Sequence, residues 1–229
     1  MKTIGLIGGT SWYSTIDYYR IINESINNSL GNNASAKIFL YSVNYEEIVT
    51  LTKKGDWNSI ELIISKATKK LENAGAECML LCANTMHTIA DEIQSAINIP
   101  LIHVVDVVLK ALEQKNIKAV LLLGTKYTMK GSFYAERLEK KGIHLLIPDL
   151  NEIEQINNTI YNELGKGLLL PATKELYLNI IEKYVRLGAA GVILGCTEIP
   201  LLIHQADCAV PIFDTTLLHA SAAAAFALG

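Results

Sequence analysis

The chain has 229 residues, of which half are hydrophobic and only 19% are charged, against about a quarter charged in an average soluble protein. This composition favours a large core, built as one large domain or two small ones. The formal net charge is −3 at pH 7. No basic stripe indicates nucleic acid as a partner, and no Lys/Arg-rich amphipathic helix indicates a membrane surface.

Four cysteines are present, and none forms a Cys-x-x-Cys pair or a zinc-ligand spacing with a histidine. The N-terminal apolar run is short and is interrupted by glycines and Trp12, which predicts a first strand rather than a signal peptide. No window approaches the roughly 18 apolar residues that a membrane-spanning helix needs. The sequence therefore predicts a cytoplasmic protein with free thiols and no metal site.

Short apolar runs alternate with longer helical patterns along the whole chain. In chain order, the predicted strands are KTIGLIG, AKIFLYSV, ECMLLCA, PLIHVVD, KAVLLLG, GVILGC and VPIFDTT. The helical patterns between them are STIDYYRIINESINNSL, SIELIISKATKKLENAG, TIADEIQSAI, VVLKALEQKN and GSFYAERLEKKG. Such alternation is typical of βαβ units and predicts the α/β class with mainly parallel sheets.

An internal repeat divides these elements into two sets. NAGAECMLLCA (73–83) aligns without a gap with RLGAAGVILGC (186–196), an offset of 196 − 83 = 113 residues. Two further matches keep the order, since GLIGGTSWYSTIDYY aligns with VLLLGTKYTMKGSFY at an offset of 115 and IPLIHVVD aligns with VPIFDTTL at an offset of 111. The repeat indicates a duplicated α/β unit.

The repeat predicts two similar α/β domains related by a pseudo-twofold axis. Residues 1–98 plus 210–229 are expected to form the first domain and residues 99–209 the second. In this arrangement PLIHVV opens the second domain and PIFDTT returns to the first. Ligands of such sheets bind beyond the carboxyl ends of the strands, so the site is expected in the cleft between the domains.

The glycine-rich loop GLIGGTSW lacks the spacing of a dinucleotide or P-loop motif. Its backbone N–H groups and the hydroxyls of Thr10, Ser11, Ser14 and Thr15 lie at a predicted helix N-terminus, which is a good seat for a carboxylate. Helix capping by the same hydroxyls is equally consistent with the pattern.

Cys196 follows the buried run GVILG at the start of a polar turn. A helix N-terminus at such a turn is expected to lower the pKa of the thiol, which makes Cys196 a candidate catalytic residue. In the first half, ANTMH occupies the equivalent turn, where Asn84 and Thr85 are candidate hydrogen-bond donors. His87 is expected either to orient a neighbour or to cap a helix. Three further histidines and two further cysteines are assigned to packing or surface roles: His103, His204, His219, Cys78 and Cys208.

Seven segments together resemble the aspartate/glutamate racemase family over essentially the whole chain: KTIGLIGGTSWYSTIDYYRIIN, NYEEI…GDW, CANTMH, LLGTKYTM, LIPD, GCTEIP and PIFDT. The chain looks most similar to the broad-specificity branch with a GG-x-SW-x-ST opening. The resemblance implies a two-domain α/β protein, commonly a homodimer, that racemises amino acids, including D-amino acids, and needs neither pyridoxal phosphate nor metal.

The family chemistry implied by the resemblance uses two thiols, because one fixed base cannot reach both faces of the α-carbon. Hydrogen-bond donors must also hold the substrate carboxylate as charge develops on it. By motif position, the resemblance assigns substrate binding to Thr10, Ser11, Asn84, Thr85, Thr125, Lys126, Thr197 and Glu198.

The chain departs from the family pattern at one catalytic position. The family motif Cys-Asn-Thr reads Ala83-Asn84-Thr85 here, and the repeat independently pairs Ala83 with Cys196. Cys82 is one residue away, and successive strand side chains point to opposite faces, so it is expected to face away from the site.

The expected function is therefore racemase chemistry with Cys196 as acid or base and the second thiol position replaced by Ala83. Three interpretations stay open at this point: an impaired or one-directional racemase assisted by water, a single-cysteine enzyme that exchanges the proton with retention or decarboxylates, and a non-catalytic amino-acid binder. The sequence also leaves open whether Ala83 is natural or was introduced to trap a substrate.

Basic side chains that would hold a second substrate carboxylate are not fixed by a motif. Lys53, Lys54, Lys126 and Lys166 are candidates. Aspartate, glutamate and substrates with neutral side chains remain equally consistent with the sequence.

Overall fold

The computed structural model describes all 229 residues. The chain divides into two compact units: the first unit comprises residues 1–104 and 216–229, and the second unit comprises residues 105–215. The domain bounds at residues 98 and 209 remain a sequence-based prediction. No helix is both long enough and apolar enough to cross a membrane.

The first unit carries a parallel sheet with the strand order β2-β1-β3. Its elements up to residue 96 are β1 (Ile4–Gly8), α1 (Trp12–Leu30), β2 (Ile38–Ser42), α2 (Tyr45–Lys54), α3 (Trp57–Asn73), β3 (Cys78–Leu81), a 3₁₀ helix (Asn84–Ile89) and α4 (Ala90–Ala96). Leu101 adds one parallel bridge to Met79 on the far side of β3.

The second unit carries a parallel sheet with the order β5-β4-β6-β7. Its elements are α5 (Val104–Gln114), β4 (Ala119–Gly124), α6 (Lys126–Lys130), α7 (Ser132–Glu139), β5 (His144–Leu146), α8 (Leu150–Asn162), α9 (Pro171–Arg186), β6 (Val192–Gly195) and β7 (Ile212–Asp214), with 3₁₀ turns at Leu164–Lys166, Ile199–Leu201 and Gln205–Asp207. Helix α10 (Thr215–Leu228) follows and belongs to the first unit from Thr216 onward.

The predicted α/β class with parallel sheets is confirmed. The two sheets also share one connectivity, because the first strand of each is central and the third strand lies beside it. This common order agrees with the internal repeat. The pseudo-twofold axis and the cleft stay predictions.

Two strand predictions were wrong. PLIHVVD contributes only the Leu101 bridge, because α5 already begins at Val104. PIFDTT does not return to the sheet of the first unit, since β7 pairs with β6 in the register Val192↔Ile212. After each third strand the chain crosses over through short helices and returns in parallel beside the strand it has just left.

The sheet of the first unit is covered on both faces, as parallel sheets generally are. Along β3 the side chains alternate between two apolar clusters. One cluster, with residues of α1 and α10, contains Cys78, Leu80 and Cys82. The other, with residues of α3 and α4, contains Met79 and Leu81, and Ala83 packs against it.

Glycine is required where β1 meets α1. A Cβ at Gly8 would lie 2.4 Å from Cγ2 of Thr15, and Gly9 adopts φ +80° with Val43 backbone atoms closer than 3 Å to a built Cβ. These positions let the first turn of α1 pack directly on the strand end.

Candidate active site

Cys196 and Thr125 come together at the carboxyl edge of the second sheet. Gly124 and Gly195 are registered partners on β4 and β6, and the two side chains follow them directly. A Cβ at Gly124 would lie 3.0 Å from the carbonyl oxygen of Gly195, so glycine permits the close approach of these strand ends.

The Cys196 thiol is hydrogen-bonded to a carboxylate. Its Sγ donates to Oε2 of Glu198 over 2.9 Å, and Oγ1 of Thr197 donates to the same oxygen over 2.8 Å. Burial, followed by the charge of Glu198, raises the pKa of Cys196 well above the usual thiol value.

The expected lowering of the Cys196 pKa was therefore wrong. The helix that follows is a single 3₁₀ turn of three residues, Ile199–Leu201, and so short a helix supplies little dipole. The carboxylate of Glu198 is closer, and it favours the protonated thiol. The resemblance assigns Glu198 to substrate binding, and the structure shows its carboxylate as the acceptor of the thiol hydrogen bond.

Thr125 and Lys126 begin α6. Thr125 is buried and caps the helix, with its Oγ1 accepting from the N–H of Thr128 over 3.2 Å. The N–H of Lys126 donates to Oδ1 of Asn157 over 3.0 Å, and its Nζ lies 5.7 Å from the ring centroid of Tyr127. The three other candidate lysines have exposed side chains: Lys53, Lys54 and Lys166.

Thr10 and Asn84 come together at the corresponding edge of the first sheet. Ile7 and Leu81 are registered partners on β1 and β3, and Thr10 and Asn84 each lie three residues further on. Thr10 and Asn84 are both buried, and Oγ1 of Thr10 has no hydrogen-bond partner. A buried hydroxyl without a partner is unusual, which makes Thr10 a good candidate for contact with a ligand.

The other hydroxyls of the glycine-rich loop are used inside the fold. Ser11 caps α1 by accepting from the N–H of Ser14 at 3.5 Å. Thr15 accepts from the N–H of Gly9 over 2.9 Å and donates to the carbonyl of Ser11 over 3.1 Å. Ser14 donates to the carbonyl of Cys82 over 2.6 Å. The proposed carboxylate-binding role of Ser14 and Thr15 is therefore not supported.

Cys82 and Ala83 face opposite sides of the first sheet. Cys82 is fully buried in the apolar cluster with α1 and α10, and burial raises the pKa of its thiol. Ala83 is half-buried on the other face. The prediction that Cys82 is a core residue is confirmed. Cys78 is likewise buried, which raises its pKa to about 12, and Cys208 is half-buried.

Three histidines that seemed unrelated in the sequence form one buried cluster. The ring of His87 lies 4.7 Å from that of His103 and 5.4 Å from that of His219, measured between centroids. Tyr18 contacts His219 through a 2.8 Å bond from its hydroxyl to Nδ1. These residues lie on four separate segments, so no local spacing could reveal the cluster. No group of His, Cys, Asp or Glu side chains has the arrangement of a metal site.

The comparisons with known proteins agree with this geometry. The family model described as Asp/Glu/hydantoin racemase matches residues 7–223, and the chain therefore belongs to that family. The prediction of the family from sequence motifs is confirmed.

Three relatives place the chain within the family. It is 26% identical over 161 residues to the broad specificity amino-acid racemase RacX of Bacillus subtilis, a match covering 70% of this chain and 69% of RacX. A crystal structure of a candidate Asp/Glu racemase from Yersinia pestis is 47% identical, with a TM-score of 0.95 and full coverage of both chains. The structure of an aspartate racemase homologue from Pyrococcus horikoshii OT3 is 37% identical, with a TM-score of 0.89 and full coverage of both chains.

Proposed function

We propose that the protein is a cofactor-independent amino-acid racemase in which Cys196 moves the α-proton and position 83 lacks the partner thiol. The observation that carries the proposal is the 2.9 Å hydrogen bond from Sγ of Cys196 to Glu198 at the carboxyl end of β6, in a chain of the racemase family. The free thiols of this chain are consistent with a cytoplasmic location.

The Cys196–Glu198 pair supplies a route for the proton. In the resting protein the thiol keeps its proton and donates a hydrogen bond to the carboxylate. Transfer of that proton to Glu198 leaves a thiolate, which takes the α-proton of the substrate and becomes a thiol again. The returning proton follows the reverse path, so charge and protons balance over the cycle.

The substrate carboxylate would be held by hydroxyl, amide and backbone donors. Oγ1 of Thr10, buried and without a partner, is the best-supported donor. Ser11, Asn84, Thr85, Thr125 and Thr197 complete the proposed set. Lys126 is the proposed partner of a second carboxylate, which would favour aspartate or glutamate over amino acids with neutral side chains.

The first unit offers no thiol to the reaction. In this proposal Ala83 takes the position of the second family cysteine. Cys82 is buried in the core on the other face of the sheet. We therefore propose that water beside the small Ala83 side chain donates the second proton. The hydroxide that forms is neutralised when the Cys196–Glu198 pair releases the abstracted proton to solvent, so that inversion ends with the water and the pair in their starting states. This predicts a one-sided enzyme, in which exchange with retention is faster than inversion.

The decisive experiment is proton exchange in D₂O. Single L- and D-amino acids are incubated with the protein, loss of the α-proton is followed by NMR, and configuration is followed by chiral chromatography. The proposal expects exchange with slow inversion, unchanged by chelators or by carbonyl reagents that trap pyridoxal phosphate. Binding of an amino acid without any exchange would reject catalysis and favour a binding protein.

We also propose that the protein is a homodimer. Helix α1 exposes four large apolar side chains, those of Trp12, Tyr13, Ile16 and Tyr19, and Leu40 of the edge strand β2 is exposed as well. A Cβ built at Gly8 would contact both Leu40 and Thr15, so this strand lies beside the same helix. Exposed apolar patches of this kind mark interaction sites.

Sedimentation of the wild-type protein tests the oligomeric state. A dimer that Ile16→Glu converts to a monomer supports the proposed surface, because a charge would be buried without a partner. Leu217→Glu, an equally exposed position on α10, is the control and should leave the dimer intact. A wild-type monomer would contradict the proposal.

A further inference from the structure

His87 is hydrogen-bonded to the backbone at the start of its own helix. It lies in the 3₁₀ helix after β3 and is almost fully buried. Its Nδ1 lies 3.1 Å from the carbonyl oxygen of Ala83. A carbonyl can only accept, so Nδ1 carries the hydrogen, and Nε2 is left as an acceptor without a partner.

Neighbouring groups keep His87 neutral. Burial lowers the pKa of His87 well below the usual value, and His103 and His219 lower it further. The groups facing the ring are therefore histidines and backbone carbonyls, and no carboxylate offsets the burial. The Nδ1–H donor consequently persists through the neutral pH range.

The bond from His87 acts on the peptide that joins residue 83 to Asn84. The only other donor shown to the Ala83 carbonyl is the N–H of Met86 at 3.3 Å, which is the first bond of a 3₁₀ helix and has poorer geometry than an α-helical bond. The second donor from His87 fixes the plane of this peptide. It thereby fixes the direction of the Cα–Cβ bonds of Ala83 and Asn84.

A second buried side chain holds the preceding carbonyl. Ser14 of α1 donates to the carbonyl of Cys82 over 2.6 Å, so two successive carbonyls at the end of β3 are each bound by a side-chain donor. The ring of His87 is supported in turn by His219, whose Nε2 donates to the carbonyl of Ile102 over 2.6 Å and whose Nδ1 accepts from the hydroxyl of Tyr18.

We propose that His87 is a positioning residue for the racemase reaction. Its Nδ1–H holds the Ala83–Asn84 peptide, so that the side chains of Ala83 and Asn84 face the substrate in one orientation. The catalytic part of this proposal rests on the proposed function, whereas the hydrogen bond from His87 to the Ala83 carbonyl does not depend on it. His87 itself neither takes nor gives a proton in the reaction, because Nε2 is enclosed in the core.

Two substitutions distinguish the role of the Nδ1–H hydrogen bond from the role of the imidazole ring in packing. An asparagine amide reaches about as far as Nδ1 of histidine and a glutamine amide about as far as Nε2, so His87→Asn preserves the bond and His87→Gln does not. We expect His87→Asn to keep kcat for α-proton exchange within about threefold and His87→Gln to lower it by about tenfold or more, as misplacement of reacting groups does. KM should change less than kcat.

A direct readout does not depend on activity. Ala83–Asn84 is the only Ala–Asn pair in the chain, so labelling alanine carbonyls with ¹³C and asparagine with ¹⁵N gives a single NMR signal for this peptide. The signal should shift in His87→Gln and stay near its wild-type position in His87→Asn. Imidazole ¹⁵N spectra of the wild-type protein should show the Nδ1–H tautomer of His87 at pH 7.

The outcomes of this test are distinct from those of the exchange experiment. Equal decreases in kcat in His87→Asn and His87→Gln, in proportion to their decreases in Tm, would mean that His87 only packs in the core. An Nε2–H tautomer, or an imidazolium at pH 7, would overturn the proposed bond even if neither variant folds. If the wild-type protein exchanges no proton, the racemase proposal fails, and the labelled carbonyl still decides whether His87 holds the turn.

Discussion

The ends of β3 and β6 occupy corresponding places in the internal repeat but surround their key residue differently. At the end of β6, a thiol is hydrogen-bonded to a carboxylate two residues later, and Oγ1 of Thr215 donates to the carbonyl of Leu194 over 2.8 Å. At the end of β3, the corresponding residue is Ala83, and two buried side chains bind successive carbonyls. Buried side chains thus hold the backbone of the β3 turn, whereas the β6 turn pairs a thiol with a carboxylate.

This difference teaches that the order of the β3 turn does not depend on which side chain stands at residue 83. The donors from Ser14 and His87 act on backbone atoms, which are present whatever side chain stands at residue 83. A cysteine restored there would therefore enter a turn that is already ordered. The following predictions test the contrast, beginning with the largest expected effect.

Removal of the thiol at the end of β6 should abolish the reaction. Cys196→Ala is expected to lower the rate of α-proton exchange by about 10³-fold or more, because no other group replaces a lost nucleophile or base of this kind. Exchange is measured by NMR in D₂O. Cys208→Ala, a half-buried cysteine on the same unit, is the matched control and should retain the wild-type rate. Residual exchange in Cys196→Ala within tenfold of wild type would reject Cys196 as the catalytic group.

Restoring the thiol at the end of β3 should make the two turns chemically alike. Ala83→Cys is expected to raise the rate of inversion by about 10²-fold, the contribution typical of a positioned acid or base. Chiral chromatography measures inversion, and exchange with retention should change much less. An inversion rate equal to that of wild type would show that residue 83 is not the missing thiol position.

Acid should destabilise the first unit through its buried histidines. Burial lowers the pKa of His219 to about 4, so the unfolded chain binds this proton below pH 6.5 while the folded protein does not. Stability is therefore complete above pH 6.5 and is lost as the pH falls towards 4, at about 1.4 kcal/mol per pH unit for His219. Urea denaturation at pH 7 and pH 5 should differ by about 2 kcal/mol from this residue.

The contribution of His219 is isolated by substitution. His219→Gln should be less stable at pH 7 but should lose less stability on acidification than wild type does. His144→Gln, at an exposed position of the second unit, should leave the pH dependence unchanged. Identical pH dependences for wild type and His219→Gln would contradict the assignment.

Glu198 should have opposite effects on thiol reactivity and on the reaction. Because its carboxylate raises the pKa of Cys196, Glu198→Gln should shift alkylation of Cys196 by iodoacetamide to lower pH. The same change removes the acceptor of the thiol proton, and exchange should fall by about tenfold at neutral pH. Faster alkylation together with faster exchange would show that Glu198 only disfavours the thiolate form of Cys196 and does not accept its proton during the reaction.

Several features of the candidate site could be predicted because they depend on short local patterns in the sequence. The alternation of side chains along a strand has a period of two residues, so Cys82 could be assigned to the core and Ala83 to the other face without coordinates. Cys196 and Thr125 could be placed at strand ends, because a buried apolar run followed by a polar turn is a local pattern.

Two features could not be predicted from the sequence. One depends on residues that are distant along the chain, and the other depends on two competing local effects. The partner of β7 followed from the path of the backbone and not from the repeat, which had suggested a return to the first sheet. The pKa of Cys196 depended on whether a short helix or the carboxylate of Glu198 lay closer to Sγ, and only the folded distances decided it.

The sequence by itself determined the α/β class and the family, because these depend on residue order and short periodicities. The tertiary structure alone decided that His87, His103, His219 and Tyr18 form one buried group, since hydrogen bonds and ring contacts join atoms without regard to their separation in the chain. It also decided that the alanine turn is held by two buried donors.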